Sequence, residues 1–197
     1  MLRYKVDDPD NEYHGQVGIF QDMVVFVRGL SRYYLLMPDK KVLSFLSHQV
    51  NRLPRKVLFL DIDGVCNSAD YMTSGRHVKG TMLGIDPFPA VLVKMIVQDT
   101  GCDVVLSSTW RLNENTRNAV REEVVDFIGV TPSFGGRDRG YEIEAWLEAN
   151  PDVGVYAILD DDMDMLAYQA PNFFKTTWKE GLTREIAQAV TEHFNGN

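Results

Sequence analysis

The chain has 197 residues, of which 45% are hydrophobic, and a formal net charge of −8 at pH 7. This composition is typical of a globular protein, and no apolar run is long enough to cross a bilayer, so we expect no membrane partner. The two cysteines, Cys66 and Cys102, are too few for a disulfide framework, and the N-terminal residues lack a signal-peptide core. We therefore expect a cytoplasmic protein.

The first fifty residues contain short apolar runs separated by turn residues, a pattern typical of antiparallel strands. The predicted strands cover residues 16–20, 23–28, 33–37 and 42–46. We predict a small β-rich accessory module over residues 1–52, with residues 50–56 as a connector and a catalytic domain over residues 53–197. The segment Gly15-Gln-Val-Gly18 resembles small SH3-like barrels that bind RNA or protein. We favour an accessory sheet packed on the catalytic domain.

The next apolar run predicts a buried strand that ends in two acids. Residues 57–60 are followed by Asp61, Ile62, Asp63 and Gly64. Two carboxylates at the end of a buried strand repel each other unless a cation lies between them or one is protonated. A calcium loop starts in the same way, but its twelfth position would be Met72 instead of Glu. The pattern favours metal-dependent phosphoryl transfer over a solvated turn.

Two further predicted strands end in polar residues. Residues 103–106 precede Ser107 and Ser108, and residues 155–159 precede Asp160 and Asp161. Because the carboxyl ends of parallel strands meet at one edge of a sheet, we expect these side chains to lie together. Helices are predicted between and after the strands, at residues 88–100, 113–128, 142–150 and 183–194, with an edge segment at 171–175. This alternation predicts an α/β fold with a central parallel sheet.

Arginines add positive charge to this edge. Arg111 follows the strand that ends in serine, where it could bind a phosphate or form a surface salt bridge. Arg137 and Arg139 lie at the start of a predicted helix. The tryptophans Trp110 and Trp146 are interpreted as packing residues.

With these motifs in place, residues 56–190 resemble the haloacid dehalogenase (HAD) superfamily of phosphotransferases. Leu106-Ser-Ser-Thr-Trp-Arg111 together with Ile158-Leu-Asp-Asp-Asp162 is similar to the branch found in phage and RNA-repair proteins. The resemblance implies a Rossmann-like HAD domain. Only residues 67–87 are available for a cap over the site, so the cap is minimal.

The resemblance also implies roles for the motif residues. Asp61 is the nucleophile that forms an aspartyl phosphate, and Asp63 is the general acid/base. Ser107 is the hydroxyl of the second motif, and Ser108 is its alternative. Arg139 is the cation of the third motif, and Arg137 is the fallback.

The metal and substrate ligands follow from the same resemblance. Mg²⁺ is bound by Asp61, Asp63 (through its backbone carbonyl) and Asp160 or Asp161. Further substrate contacts are predicted for Ser108, Arg111 and Arg137.

The charge distribution bears on the substrate. Residues 1–56 hold nine Lys/Arg and six Asp/Glu, a net of +3, whereas residues 57–197 hold eleven and twenty-two, a net of −11. An acidic catalytic region favours a small phosphate ester, while a minimal cap favours a macromolecule. We therefore predict a phosphatase for a nucleotide or a nucleic-acid 3′-phosphate end, with basic contacts from residues such as Arg76 and Lys79. The alternatives are an inactive HAD scaffold that binds a partner, or a phosphotransferase to an acceptor other than water.

Overall fold

A computed structural model describes residues 2–25, 31–74 and 84–196 and divides the chain into two compact units, Met1–Arg55 and Lys56–Asn197. No helix in the described ranges is both long and apolar enough to span a membrane. The predicted basic contacts Arg76 and Lys79 lie outside the described residues.

The N-terminal unit is a five-stranded antiparallel sheet in the order β4-β3-β2-β1-β5. Its strands are β1 (Arg3–Val6), β2 (Val17–Val25), β3 (Ser31–Leu36), β4 (Val42–Leu46) and β5 (Val50–Arg52), with a 3₁₀ turn at Ser47–Gln49 before β5. A small core of five buried residues holds the sheet together: Val6, Leu35, Met37, Phe45 and Val50.

Two strands of this unit differ from the sequence prediction. Strand β1 was not predicted, and Val50–Arg52 belongs to a strand instead of a connector. The two strands pair with each other, with Tyr4 opposite Arg52 and Val6 opposite Val50. Short strands of mixed polarity carry little periodicity, so their pairing is visible only in the folded chain.

The second unit is an α/β fold with a five-stranded parallel sheet, as predicted. The sheet order is β10-β9-β6-β7-β8, with β6 (Arg55–Leu60) in the centre. The other strands are β7 (Asp103–Leu106), β8 (Gly129–Val130), β9 (Val153–Asp160) and β10 (Phe173–Lys175), and the helices are α1 (Ala69–Thr73), α2 (Pro87–Thr100), α3 (Glu114–Ala119), α4 (Arg139–Glu148) and α5 (Arg184–Asn195).

Alternating residues of β6 face opposite layers of the core. Leu58 and Leu60 pack in a cluster that includes residues of α2 and α5, whereas Val57 and Phe59 pack with Ile143 of α4. This alternation follows from the two-residue period of a strand and covers both faces of the sheet with helices. The last four residues of the central strand, 57–60, are therefore fully buried, and its carboxyl end leads directly into Asp61.

Most helix predictions are confirmed within a few residues, with two differences. The predicted helix 113–128 is shorter, because α3 passes into a π-helical turn at Val120–Val124 and a strand follows. Helix α4 begins at Arg139, earlier than predicted. Its first two backbone N–H groups donate to Asp164, one to the carboxylate at 2.9 Å and one to the carbonyl at 3.1 Å. Asp164 therefore caps the start of α4 from a loop 25 residues further along the chain.

Candidate active site

Asp61 lies at the carboxyl end of the central strand, where two neighbouring strands also end. Its backbone N–H donates to the Leu159 carbonyl of β9 at 2.9 Å, while Ser107 N–H donates to the Leu60 carbonyl at 3.0 Å. These bonds align the ends of β6, β9 and β7. The carboxyl end of the sheet is where α/β proteins bind ligands, because the side chains there point into the crevice beyond the strands.

Three carboxylates converge at this edge. Asp61, Asp160 and Asp161 each offer an oxygen, and these oxygens lie within 4.8 Å of one another. Asp61 is 4% exposed and Asp160 is 1% exposed, so water screens their charges poorly. The group could hold a metal ion, and its all-oxygen donor set suits a hard divalent cation such as Mg²⁺ or Ca²⁺.

Gly64 allows the third carboxylate to approach. It has a φ of +70°, which favours glycine, and a Cβ built at this position would lie 2.2 Å from the carboxyl carbon of Asp161. The Gly64 carbonyl accepts a hydrogen bond of 2.6 Å from the Thr176 hydroxyl. Glycine is therefore required here both for the turn and for the space that the Asp161 side chain occupies.

Arg139 lies among the acids. Its Nη1 is 3.1 Å from a carboxylate oxygen of Asp61 and also donates to the Ser107 carbonyl, while its Nε lies 3.0 Å from Asp160. The Asp160 contact is an ion pair without the alignment of a hydrogen bond. Three carboxylates at −3 and one guanidinium at +1 leave a formal charge of −2, which one divalent cation would neutralise.

The pKa values reflect this crowding. Burial raises the pKa of Asp61 well above its ordinary value, the charge of Asp160 raises it further, and Arg139 opposes the shift. Burial also raises the pKa of Asp160 to about 6. For Arg139, burial acts to lower the pKa, but Asp160 and Asp61 outweigh it and the pKa is raised. Ionising both buried acids is thus costly, and a bound cation would remove that cost.

The two serines after β7 have different surroundings, although both are fully buried. Interaction with the Ser108 side chain lowers the pKa of the Asp61 carboxyl against the larger effects of burial and Asp160, and the Ser108 hydroxyl oxygen accepts from the Trp110 backbone N–H at 3.4 Å. The Ser107 hydroxyl has no hydrogen-bond partner among the described residues. Its carbonyl accepts from Arg139 and Arg111. Of the two serines, Ser108, the alternative in the sequence prediction, is the one whose side chain lowers the pKa of Asp61.

Asp63 is held away from the acid cluster. Its Oδ1 accepts a hydrogen bond of 2.8 Å from Asn67, and its Oδ2 accepts one of 3.0 Å from the indole N–H of Trp110. Asn67 in turn accepts from the Gly64 backbone N–H at 2.9 Å. Sequence reasoning overlooked Asn67 and interpreted Trp110 as a packing residue. Both donors fix the Asp63 carboxylate beside the site. Asp63 does not join Asp61, Asp160 and Asp161 in the group of carboxylates that could bind a metal ion.

Arg111, which the sequence predicts either to bind a phosphate or to form a surface salt bridge, is buried in the structure. Its guanidinium is buried and makes five hydrogen bonds within the protein, which uses its full donor capacity. The acceptors are the carbonyls of Thr131 (3.1 Å), Ser107 (2.7 Å), Ser108 (2.8 Å) and Pro132 (3.1 Å), and the Glu142 carboxylate (2.5 Å). No N–H of Arg111 is left for a phosphate, so this residue fixes the backbone of the loop instead.

Arg137 is not brought to the acid cluster. It is exposed, and its guanidinium lies 5.8 Å from the centre of the Tyr141 ring. Of the two arginines considered for the third motif, Arg139 contacts both Asp61 and Asp160, while Arg137 lies on the surface beside Tyr141.

The chain matches the family of HAD domains in Swiss Army Knife RNA repair proteins over residues 57–187, which is 131 of its 197 residues. It belongs to this family. Among solved structures, a chain of the Pnkp1/Rnl/Hen1 complex is similar, with 20% identity and a TM-score of 0.42 over 65% of this chain and 47% of that chain. The protein thus spans about half the length of that solved chain. No curated protein matches it.

Proposed function

We propose that the protein is a Mg²⁺-dependent phosphatase that removes a terminal phosphate from RNA, at a 3′ end, through an aspartyl-phosphate intermediate. The observation that carries the proposal is the buried Asp61 carboxylate, which lies beside Arg139 and forms with Asp160 and Asp161 a group that could bind a metal ion. Membership of a family of RNA-repair HAD domains supports phosphate ends of RNA over free nucleotides as substrate.

The oxygen donors of Asp61, Asp160 and Asp161 fit Mg²⁺, which would neutralise the formal charge of −2 that these three acids and Arg139 carry together. When bound, Mg²⁺ would neutralise charge on the phosphate and the nucleophile. The predicted fourth ligand, the backbone carbonyl of Asp63, is proposed on the family resemblance alone.

Asp61 attacks first. One of its carboxylate oxygens forms a bond to phosphorus while the bond from phosphorus to the ribose oxygen breaks. The electron pair of the broken bond goes to the ribose oxygen, which takes a proton from Asp63. Arg139 binds the phosphoryl oxygens and reduces the repulsion between two anions. The Ser108 hydroxyl binds a phosphoryl oxygen next to Asp61, a role supported by its effect on the pKa of that carboxyl.

Water completes the reaction. Asp63, now a carboxylate, takes a proton from the attacking water, and the oxygen of that water displaces Asp61 from phosphorus. The nucleophile is regenerated and inorganic phosphate leaves. Asp63 therefore needs a fixed position near the ribose oxygen in the first step and near the attacking water in the second. The hydrogen bonds from Asn67 and Trp110 hold it in position.

The test is phosphate release from a panel of substrates, with Mg²⁺ and with excess chelator. The panel contains RNA oligonucleotides phosphorylated at the 3′ or the 5′ end, 3′- and 5′-mononucleotides, and p-nitrophenyl phosphate. We expect release that requires Mg²⁺ and is fastest on the 3′-phosphorylated oligonucleotide. Preference for mononucleotides would contradict the RNA-end substrate. Metal binding without turnover on any substrate would indicate a binding protein on a HAD scaffold.

Replacing Trp110 by phenylalanine tests how Asp63 is held. The change keeps an aromatic ring but removes the N–H that donates to Asp63. We expect hydrolysis of the 3′-phosphate end to slow by roughly 10- to 100-fold, because the ribose oxygen leaves poorly without a proton. Nitrophenolate leaves without one, so its release in the first turnover of p-nitrophenyl phosphate, before water attacks the shared intermediate, should slow by about threefold or less.

The control is Trp146→Phe, at a tryptophan that packs edge-on against Phe59 with ring centres 5.4 Å apart. This variant should change the rates on both substrates by the same factor. An equal loss of the first-turnover rate on both substrates in Trp110→Phe would show that Trp110 supports the loop and does not position the acid.

A further inference from the structure

The N-terminal unit carries a group of three aromatic rings on one face of its sheet. Tyr4, Phe20 and Tyr33 come from strands β1, β2 and β3, and their ring centres lie 4.9 to 6.3 Å apart. Each ring packs against the small core of the unit, and each remains partly exposed. One side of each ring is therefore anchored while the group still offers aromatic surface to solvent.

Two exposed residues extend this group. Arg52 lies directly opposite Tyr4 in the pairing of β1 with β5, and Met23 lies opposite Tyr33 in the pairing of β2 with β3. Directly paired residues project to the same face of a sheet, so both adjoin the rings. Met23 is 43% exposed. We call Tyr4, Phe20, Tyr33, Met23 and Arg52 the aromatic surface.

Charge identifies the kind of partner that the aromatic surface fits. The first 56 residues carry a net charge of +3, whereas the rest of the chain carries −11. Four of the six acids in the N-terminal part lie within residues 7–12, beyond the end of β1. A cationic peptide would be repelled by Arg52, while a polyanion would be attracted to it. Aromatic rings next to arginine are what single-stranded nucleic acids bind, through base stacking and phosphate contacts.

We infer that the N-terminal unit binds single-stranded RNA, with bases stacked on Tyr4, Phe20 or Tyr33 and a phosphate on Arg52. The inference rests on the proposed function for the choice of RNA as the nucleic acid. It would also explain how an acidic catalytic unit retains a polyanionic substrate, because the positively charged unit supplies the binding energy that the catalytic unit cannot.

The experiment measures binding of a fluorescent oligouridylate of about twelve nucleotides, a length that matches small single-strand binding folds. The oligonucleotide ends in hydroxyls, and the full chain carries Asp61→Asn in excess chelator, so neither phosphate recognition nor turnover contributes. Arg52→Gln is the main variant, because Arg52 is exposed and its loss does not open the core. Lys41→Gln makes the same charge change before β4, where Lys41 pairs with Asp39 at 3.0 Å.

We expect Arg52→Gln to weaken binding of the oligouridylate by at least about fivefold and to reduce the salt dependence of binding. The affinity of Lys41→Gln should stay within about twofold of that of the parent protein. Tyr33→Leu should weaken binding roughly 5- to 150-fold, provided that its unfolding midpoint shows it to be folded. An oligouridylate should bind more tightly than a duplex of the same length.

Equal effects of Arg52→Gln and Lys41→Gln, or equal binding of duplex and single strand, would overturn the inference, because only net charge would then matter. Binding of a cationic peptide in preference to RNA would overturn it in favour of a protein partner. Failure of the phosphatase proposal is seen separately, as absence of phosphate release from a 3′-mononucleotide, which is too short to need the aromatic surface.

Discussion

Asp61→Asn is expected to reduce phosphate release by about a thousandfold or more, because the amide oxygen is a poor nucleophile and the aspartyl phosphate cannot form. The change is small in volume, and the residue keeps an oxygen at the end of β6. The Asp61 carboxyl interacts with the Ser108 side chain and pairs with Arg139 at 3.1 Å, and an amide can retain part of both interactions. Loss of activity should therefore occur without unfolding.

Covalent labelling provides the direct measurement. Wild-type protein incubated with a ³²P-labelled 3′-phosphate substrate and quenched in acid should retain label that is released by base, as expected of an acyl phosphate. Asp61→Asn should retain none. The matched control is Asp162→Asn, at an exposed acid next to the cluster, which should keep activity within about threefold of wild type.

Activity retained by Asp61→Asn would mean that water attacks phosphorus directly, with the acids acting only as metal ligands. Label retained by wild type but not released by base would place the phosphate on another residue type. The first result would contradict the assignment of Asp61 as the nucleophile, whereas the second would contradict an aspartyl-phosphate intermediate.

The positions of the acids could be predicted from the sequence because they depend on a single rule. Apolar runs of strand length end in Asp61, in Ser107 and in Asp160, and parallel strands bring their carboxyl ends to one edge of the sheet. The edge strand β10 and the helix capped by Thr183 follow from equally local signals. The fold of the second unit, Lys56–Asn197, was thus predictable from patterns within each segment.

The interior of the site was not predictable, because its contacts join distant segments. The choice between Arg137 and Arg139 depends on where α4 begins, and its start is capped by Asp164, 25 residues further along the chain. The indole N–H of Trp110 reaches Asp63 because a 3₁₀ turn at Thr109–Leu112 aims it there. Periodicity and residue type do not reveal either of these contacts.

Arg111 shows most clearly that contacts between distant segments cannot be predicted from local sequence patterns. An arginine after a strand that ends in serine is expected at the mouth of a phosphate site, and the sequence prediction followed that pattern. The ion-pair partner of Arg111, the Glu142 carboxylate, lies 31 residues away on α4 and is itself buried. Glu142 also accepts from the Phe134 backbone N–H at 3.0 Å, which ties the loop before α4 to the same ion pair.

Arg111→Met is therefore expected to lower the free energy of unfolding by about 3–5 kcal/mol, because Glu142 would be left as a buried charge without its partner. The Thr131 and Pro132 carbonyls would lose the donor that Arg111 supplies, and the Ser107 and Ser108 carbonyls would each lose one of two donors, which adds to the cost. The measurement is equilibrium unfolding in urea at neutral pH. Since all its donors are used within the protein, Arg111 contributes stability and not phosphate affinity.

The control is Arg121→Met, the same change at an arginine whose side chain is 42% exposed and whose partner Asp126 is 88% exposed. This variant should lose about 1 kcal/mol or less, since exposed ion pairs contribute little. A fully stable Arg111→Met protein with a raised KM for phosphate ends would contradict the structural role and restore the substrate-binding prediction. The outcome thus decides whether the arginine that follows the serine strand serves the fold or the substrate.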